Sequence, residues 1–217
     1  VYQMAPRMAD YWAAAAMMAG HPNGVSLLSL RNVPFALQVG ANDSAYNRNK
    51  VATEYGEALQ KLQKNDPGGY ENLVKIHEGK GHWMNLEDKI ALPWMSKYSR
   101  NPIPQKVVWK QTAVPHYRSY WLAIPILDMP NDSLIIAEYK GQTVEISRAE
   151  KIKNVLVRFS DKMMDLDKTI TITHQGQKVF EGKVNRLIKT QIQTLQGRGD
   201  PLLVFDAEVS VTIPSKQ

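Results

Sequence analysis

An aspartate and a histidine carry the clearest chemistry in this sequence. Asp43 closes the run Leu37-Gln38-Val39-Gly40-Ala41-Asn42-Asp43, and His82 closes Lys75-Ile76-His77-Glu78-Gly79-Lys80-Gly81-His82. Each follows an apolar stretch, with Gly40 three residues before Asp43 and Gly81 directly before His82, and glycine permits the tight turns that bring a side chain to the end of a strand. If those strands are parallel neighbours, the carboxylate orients the imidazole and stabilises its cation. The other ring nitrogen is then left to take a proton from a nucleophile. Asp43 followed by Ser44 also fits a helix cap. Trp83, directly after the histidine, is a candidate substrate-binding residue, with simple packing as the competing role. His21, in Gly20-His21-Pro22, is a lesser candidate for the rim of the same site. The five histidines show no H-E-x-x-H or comparable spacing, so no metal site is expected. Asp161, Asp165 and Asp167 lack the glycine and the spacing of a calcium loop and read as a solvated turn.

The elements needed to place these groups follow from periodicity. Val1 to Ala9 reads as the end of a helix. Ala13 to Ala19 is a short apolar run closed by a turn cluster, and Pro34 to Val39 is a clearer strand. Asn47 to Asn65 has Val51, Tyr55, Ala58, Leu59 and Leu62 at helical spacing, and Asp66-Pro67-Gly68-Gly69 stops it. Leu73 to His77 is another strand, and Leu86 to Tyr98 returns to helix around Pro93. Strands alternating with helices predict a parallel sheet, whose functional groups collect beyond the carboxyl ends of the strands. Asp43 and His82 both lie there.

At Asn101-Pro102-Ile103-Pro104 the pattern changes. Strands are expected at 107–111, 119–124, 134–139, 143–147, 155–160, 169–174, 178–181 and 202–213, with a hairpin turn at Gln175-Gly176-Gln177. One helix is expected from Asn185 to Leu195, with Leu187, Ile188, Ile192 and Leu195 on one face. Tyr117, Tyr120 and Trp121 form a candidate aromatic face, half of it core by alternation. The fold class is therefore α/β followed by all-β, with residues 1–101 as the α/β part and 102–217 as an antiparallel β-sandwich.

Composition excludes several function classes. The formal charge is +6, but basic residues are scattered, and no block of like charge argues for a nucleic acid partner. No apolar run approaches the ~20 residues that span a bilayer. The chain has no cysteine, which removes disulfides, a thiol nucleophile and thiolate metal ligands.

Gly40-Ala41-Asn42-Asp43 and Gly81-His82 give the first 100 or so residues a family resemblance. They resemble the last part of an α/β-hydrolase of the esterase and prolyl-oligopeptidase-like branch, where a strand ends in G-x-x-D and a later one in G-H. The resemblance implies a serine hydrolase acting on carboxylic esters or peptides, with Asp43 and His82 as triad acid and base and no cofactor. That family's nucleophile lies in G-x-S-x-G. No such motif occurs here, and Ser26, Ser29 and Ser44 lack the flanking glycines. The serine is expected upstream of Val1, so these residues alone should be inert and should need the upstream half of the fold or another protomer. The stretch from Phe159 to Phe180 resembles C-terminal sandwich extensions of some bacterial secreted hydrolases, which would imply a periplasmic or extracellular location. The rival reading is a non-enzymatic binding or assembly module on a degenerate hydrolase scaffold.

Overall fold

The computed structural model describes residues 1–112, 116–128 and 131–214. The chain divides into two compact units, Val1–Asn101 and Pro102–Gln217.

The first unit is built on a parallel sheet of three strands in the order β1 (Ala15–Met18), β2 (Phe35–Gly40), β3 (Asn72–His77). A one-turn helix, α1 (Met4–Arg7), precedes β1. All six residues of β2 are buried, which is why its sequence is a continuous apolar run rather than an alternating one. Helix α2 (Arg48–Asn65) connects β2 to β3 and buries Ala52, Gly56 and Leu59, one side of the helix at helical spacing. Gly56 allows close contact, because a Cβ there would lie 2.6 Å from a Val74 methyl.

Because the strands are parallel, the loops after Met18, Gly40 and His77 emerge at one end of the sheet. Gly40 pairs with His77 at the end of the β2–β3 ladder. Beyond it the loops stay joined through the backbone. Ala41 N donates to His77 O at 2.9 Å, and Asn42 N to Lys80 O at 2.8 Å. A Cβ on Gly40 would lie 2.2 Å from Gly81 O and 2.4 Å from Lys80 O. Glycine is required there by proximity.

The helix expected from Leu86 to Tyr98 is not continuous. The backbone runs as a 3₁₀ segment, Met84–Ile90, into the five-residue helix α3 (Ala91–Met95). Met84, Asn85 and Leu86 are all left-handed, with φ of 47°, 51° and 61°. Tertiary ties override the helical pattern here. Gln38, at the centre of β2, donates from Nε2 to Asp88 O at 3.0 Å, and Lys80 Nζ lies 2.7 Å from Glu87 Oε1. Pro93 sits in the first turn of α3, where its missing N–H costs nothing.

The second unit contains β4 (Lys106–Lys110), β5 (Arg118–Ser119), β6 (Leu122–Ala123), β7 (Leu134–Lys140), β8 (Thr143–Glu150), β9 (Asn154–Phe159), β10 (Ile170–His174), β11 (Gln177–Gly182) and β12 (Ala207–Thr212). They form a five-stranded sheet, β11-β10-β8-β7-β4, and a four-stranded sheet, β12-β9-β6-β5. Pairing is antiparallel except between β8 and β10, which are parallel. Val155, Val157 and Phe159 of β9 are buried, as are Ile170, Ile172 and His174 of β10, each set alternating with partly exposed residues. Trp121 meets Tyr139 edge to face at 5.8 Å, joining the two sheets. Gln175 and Gly176, both at positive φ, make the two-residue turn between β10 and β11.

Three expectations for this unit need correction. The strand at 119–124 is broken into β5 and β6 by left-handed Tyr120, and both Tyr120 and Trp121 are core residues. The strand at 202–213 is shorter, because Asp200 caps a 3₁₀ turn over Pro201–Leu203. Helix α4 spans Ile188–Arg198 and buries Thr190 and Thr194, while Leu187, Ile188, Ile192 and Leu195 are exposed. Thr194 holds that face inward by accepting from Phe205 N at 3.1 Å. Among the described residues no helix is long and apolar enough to cross a membrane.

The approach of the two loops makes a paired prediction. Gly40→Ala should destabilise the protein by about 2–3 kcal/mol, since its methyl group meets backbone that cannot rotate away. Gly81→Ala, whose Cβ meets nothing within 4 Å, should cost less than about 1 kcal/mol. Denaturant unfolding of both variants measures the difference, and equal losses would count against the close approach.

Candidate functional site

Asp43 and His82 are brought together at the shared end of β2 and β3. His82 Nδ1 donates to Asp43 Oδ2 at 2.9 Å. The carboxylate is 3% exposed, whereas 44% of the imidazole side chain remains accessible. With Nδ1 committed, the neutral ring carries its lone pair on Nε2, and Nε2 has no partner among the described residues. That is the tautomer a general base requires.

The backbone around Asp43 explains its position. Its N–H donates to Gly40 O at 3.0 Å, its carbonyl accepts from Asn49 N at 3.0 Å, and Asn49 Nδ2 donates to Ala41 O at 2.8 Å. Tyr46 and Asn47 are left-handed and turn the chain into α2. The side chain does not cap that helix. Both of its oxygens are taken by Arg48 and His82.

Arg48 is the residue of the candidate site that sequence reasoning missed. Its Nε donates to Asp43 Oδ2 at 2.9 Å and its Nη2 to Oδ1 at 2.7 Å, a bidentate pair. The guanidinium carbon also stands 5.5 Å from the centre of the Tyr46 ring. Arg48's guanidinium holds the Asp43 carboxyl below the usual carboxylate range. Burial opposes that shift, and the His82 hydrogen bond adds to it. The one signal in the sequence is a basic residue five positions after the aspartate, and that spacing matters only once the left-handed turn is known.

A second layer braces the histidine loop. His77, buried at the end of β3, donates from Nε2 to Gln38 Oε1 at 2.8 Å, while its Nδ1 faces Glu87 Oε2 at 3.4 Å. With the Gln38–Asp88 and Lys80–Glu87 contacts, this network ties the 84–90 segment to the sheet beneath His82. Lys80's ammonium, with a smaller contribution from His77, holds the Glu87 carboxyl below its ordinary range.

The other predicted site residues lie differently. Trp83 is 82% exposed, and its ring stands edge-on to His82 with centroids 5.5 Å apart. It borders the dyad without closing a pocket. His21 also follows a strand at this end of the sheet, but it sits in an exposed turn where Nδ1 contacts Asn23 Oδ1 at 2.8 Å. No contact joins it to Asp43 or His82 among the described residues. In the second unit Arg186 bridges Asp161 at 2.6 Å and Asp167 at 2.7 Å. Among the described residues no group of three or more His, Cys, Asp or Glu is arranged to hold a metal ion. Comparison with protein families, curated proteins and solved structures finds no match to this chain.

Removing the arginine should have a pH signature. Arg48→Met leaves a buried carboxylate with only the imidazole as partner and should destabilise the protein near neutral pH. Asp43's lowered pKa contributes stability that is present above the unfolded-state value and lost as pH falls through the folded-state value. The gap between the native protein and the variant should therefore narrow below about pH 4, where Asp43 is protonated in both unfolded chains. Urea unfolding across that range checks it, and a gap independent of pH would show that the ion pair is not its origin.

Proposed function

We propose that Asp43 and His82 are the acid and histidine of a serine-hydrolase triad acting on carboxylic esters or peptides. The nucleophile would come from polypeptide other than these residues, as the upstream half of the fold or another protomer. The observation that carries this reading is the 2.9 Å contact from a half-exposed imidazole to a buried carboxylate, with Nε2 left unpartnered.

In the proposed reaction a serine hydroxyl attacks the substrate carbonyl and passes its proton to His82 Nε2. The imidazolium is stabilised by Asp43 and then gives the proton to the departing alkoxide or amine. Water repeats the sequence on the acyl-enzyme. Arg48 orients the carboxylate from behind, so that one of its oxygens stays directed at Nδ1. Trp83, beside the imidazole, would line the approach of the leaving group. None of these steps calls for a metal or an organic cofactor.

Two further features support the reading. The β1 strand pairs only with β2, so its outer edge is unpaired among the described residues. Beside it lies a mostly apolar cavity of about 270 Å³, lined by Val1, Met4, Trp12, Ala15 and Met95 among others. A further parallel strand there would complete the sheet and bring its carboxyl end, with the serine, to the His82 end. The second unit, with one buried face on each of two sheets, suits a β-sandwich appended to that catalytic unit.

The test is hydrolysis of p-nitrophenyl acetate and butyrate by the full-length gene product. His82→Ala should lower kcat/KM by about 10⁴-fold, and Asp43→Asn by about 10²- to 10⁴-fold, with the fold intact by circular dichroism. Unchanged hydrolysis in a folded His82→Ala variant would overturn the assignment.

A further inference from the structure

The second unit holds a cavity of about 720 Å³ where β8 turns into β9 and β10 turns into β11. Its size suits a small organic ligand. His174, which lines it, is buried, and its Nδ1 donates to Ile146 O at 2.8 Å. In the neutral ring the lone pair is therefore on Nε2, which has no partner among the described residues. Lys153 and Gln175 also line the cavity, are exposed, and have no side-chain partner among the described residues.

The neighbouring charged side chains have partners of their own. Glu150 accepts from Arg148 Nε at 2.6 Å, and Lys151 Nζ donates to Asp132 Oδ2 at 2.7 Å. Lys110 Nζ also donates to Asp132, so this trio keeps one positive charge, and Lys153 adds another that has no partner among the described residues. Ile152, Ile213 and Pro214 supply an apolar wall. Two lining residues, Lys151 and Gln175, are held in the left-handed region at φ of 56° and 48°. Both belong to the connections between strands, which their left-handed backbone lets turn tightly at the edge of the cavity.

We propose that this cavity binds a hydroxylated organic carboxylate of sugar-acid size. The carboxylate pairs with Lys153 and the Gln175 amide, a hydroxyl donates to His174 Nε2, and the carbon skeleton covers Ile152 and Ile213. A neutral sugar would leave Lys153 uncompensated, and an inorganic anion would leave the apolar wall bare. The proposal is independent of the Asp43–His82 site.

The probe is sodium glucuronate, titrated into the ¹⁵N-labelled chain and followed by amide NMR. Saturable shifts are expected at Lys153, His174 and Gln175, with a Kd on the order of 1 mM. Glucose and inorganic phosphate should each bind at least about tenfold more weakly. Lys153→Met should weaken glucuronate binding by about tenfold, while Lys162→Met, on an exposed residue away from the cavity, should leave it unchanged. Dispersed amide spectra verify that both variants fold. Absence of saturable shifts at these residues, equal binding of phosphate, or full affinity in Lys153→Met would each overturn the proposal.

Discussion

The candidate site depends on one buried negative charge. Asp43 has almost no access to water, so its carboxylate must be compensated by protein groups or not ionise. Arg48 and His82 provide that compensation from two directions, with three hydrogen bonds to two oxygens. The arginine is permanently charged and supplies the larger part of the stabilisation. The imidazole can therefore exchange its proton without leaving the carboxylate stranded. A dyad of Asp and His alone would couple the charge of the histidine to the solvation of the aspartate much more tightly.

Bringing the three groups together is the work of the β2–β3 pair and the helix between them. Parallel pairing puts both loops at one end, and α2 begins with Arg48 directly beneath the first loop. The ties from Gln38 and His77 to the 84–90 segment hold the second loop from below. They also give a polar residue at the centre of a fully buried strand a partner for both its amide nitrogen and its amide oxygen.

Much of this arrangement is legible in the sequence. The buried strand β2 is visible as Pro34 to Val39, and α2 as Asn47 to Asn65, because burial on both faces and burial on one stripe leave distinct patterns. Asp43 and His82 stand out because a polar residue after an apolar run and a glycine marks a strand end. What hydrophobic periodicity does not encode is left-handed backbone. The turns at Tyr46–Asn47 and Met84–Leu86 involve non-glycine residues, so neither the reach of Arg48 nor the interruption of the helix after His82 can be read from composition. The apolar residues of α4 mislead for a different reason. The Thr194 hydroxyl donates to Thr190 O and accepts from Phe205 N on the inner face, and a hydroxyl chosen for that purpose looks like a solvent residue in a hydrophobic pattern.

The contact of Gly40 with the Lys80–Gly81 backbone has a consequence for how such a site can change. Two loops in direct main-chain contact behave like a machined gauge: no side chain intervenes whose length could be altered to widen or narrow the gap. Variation at solvent-facing positions nearby leaves the spacing of the carboxylate and the imidazole where it is. The adjustable parts are the outward neighbours, Trp83 and the residues around Tyr46, so diversification of this scaffold is channelled toward what approaches the imidazole and away from the geometry that supports it.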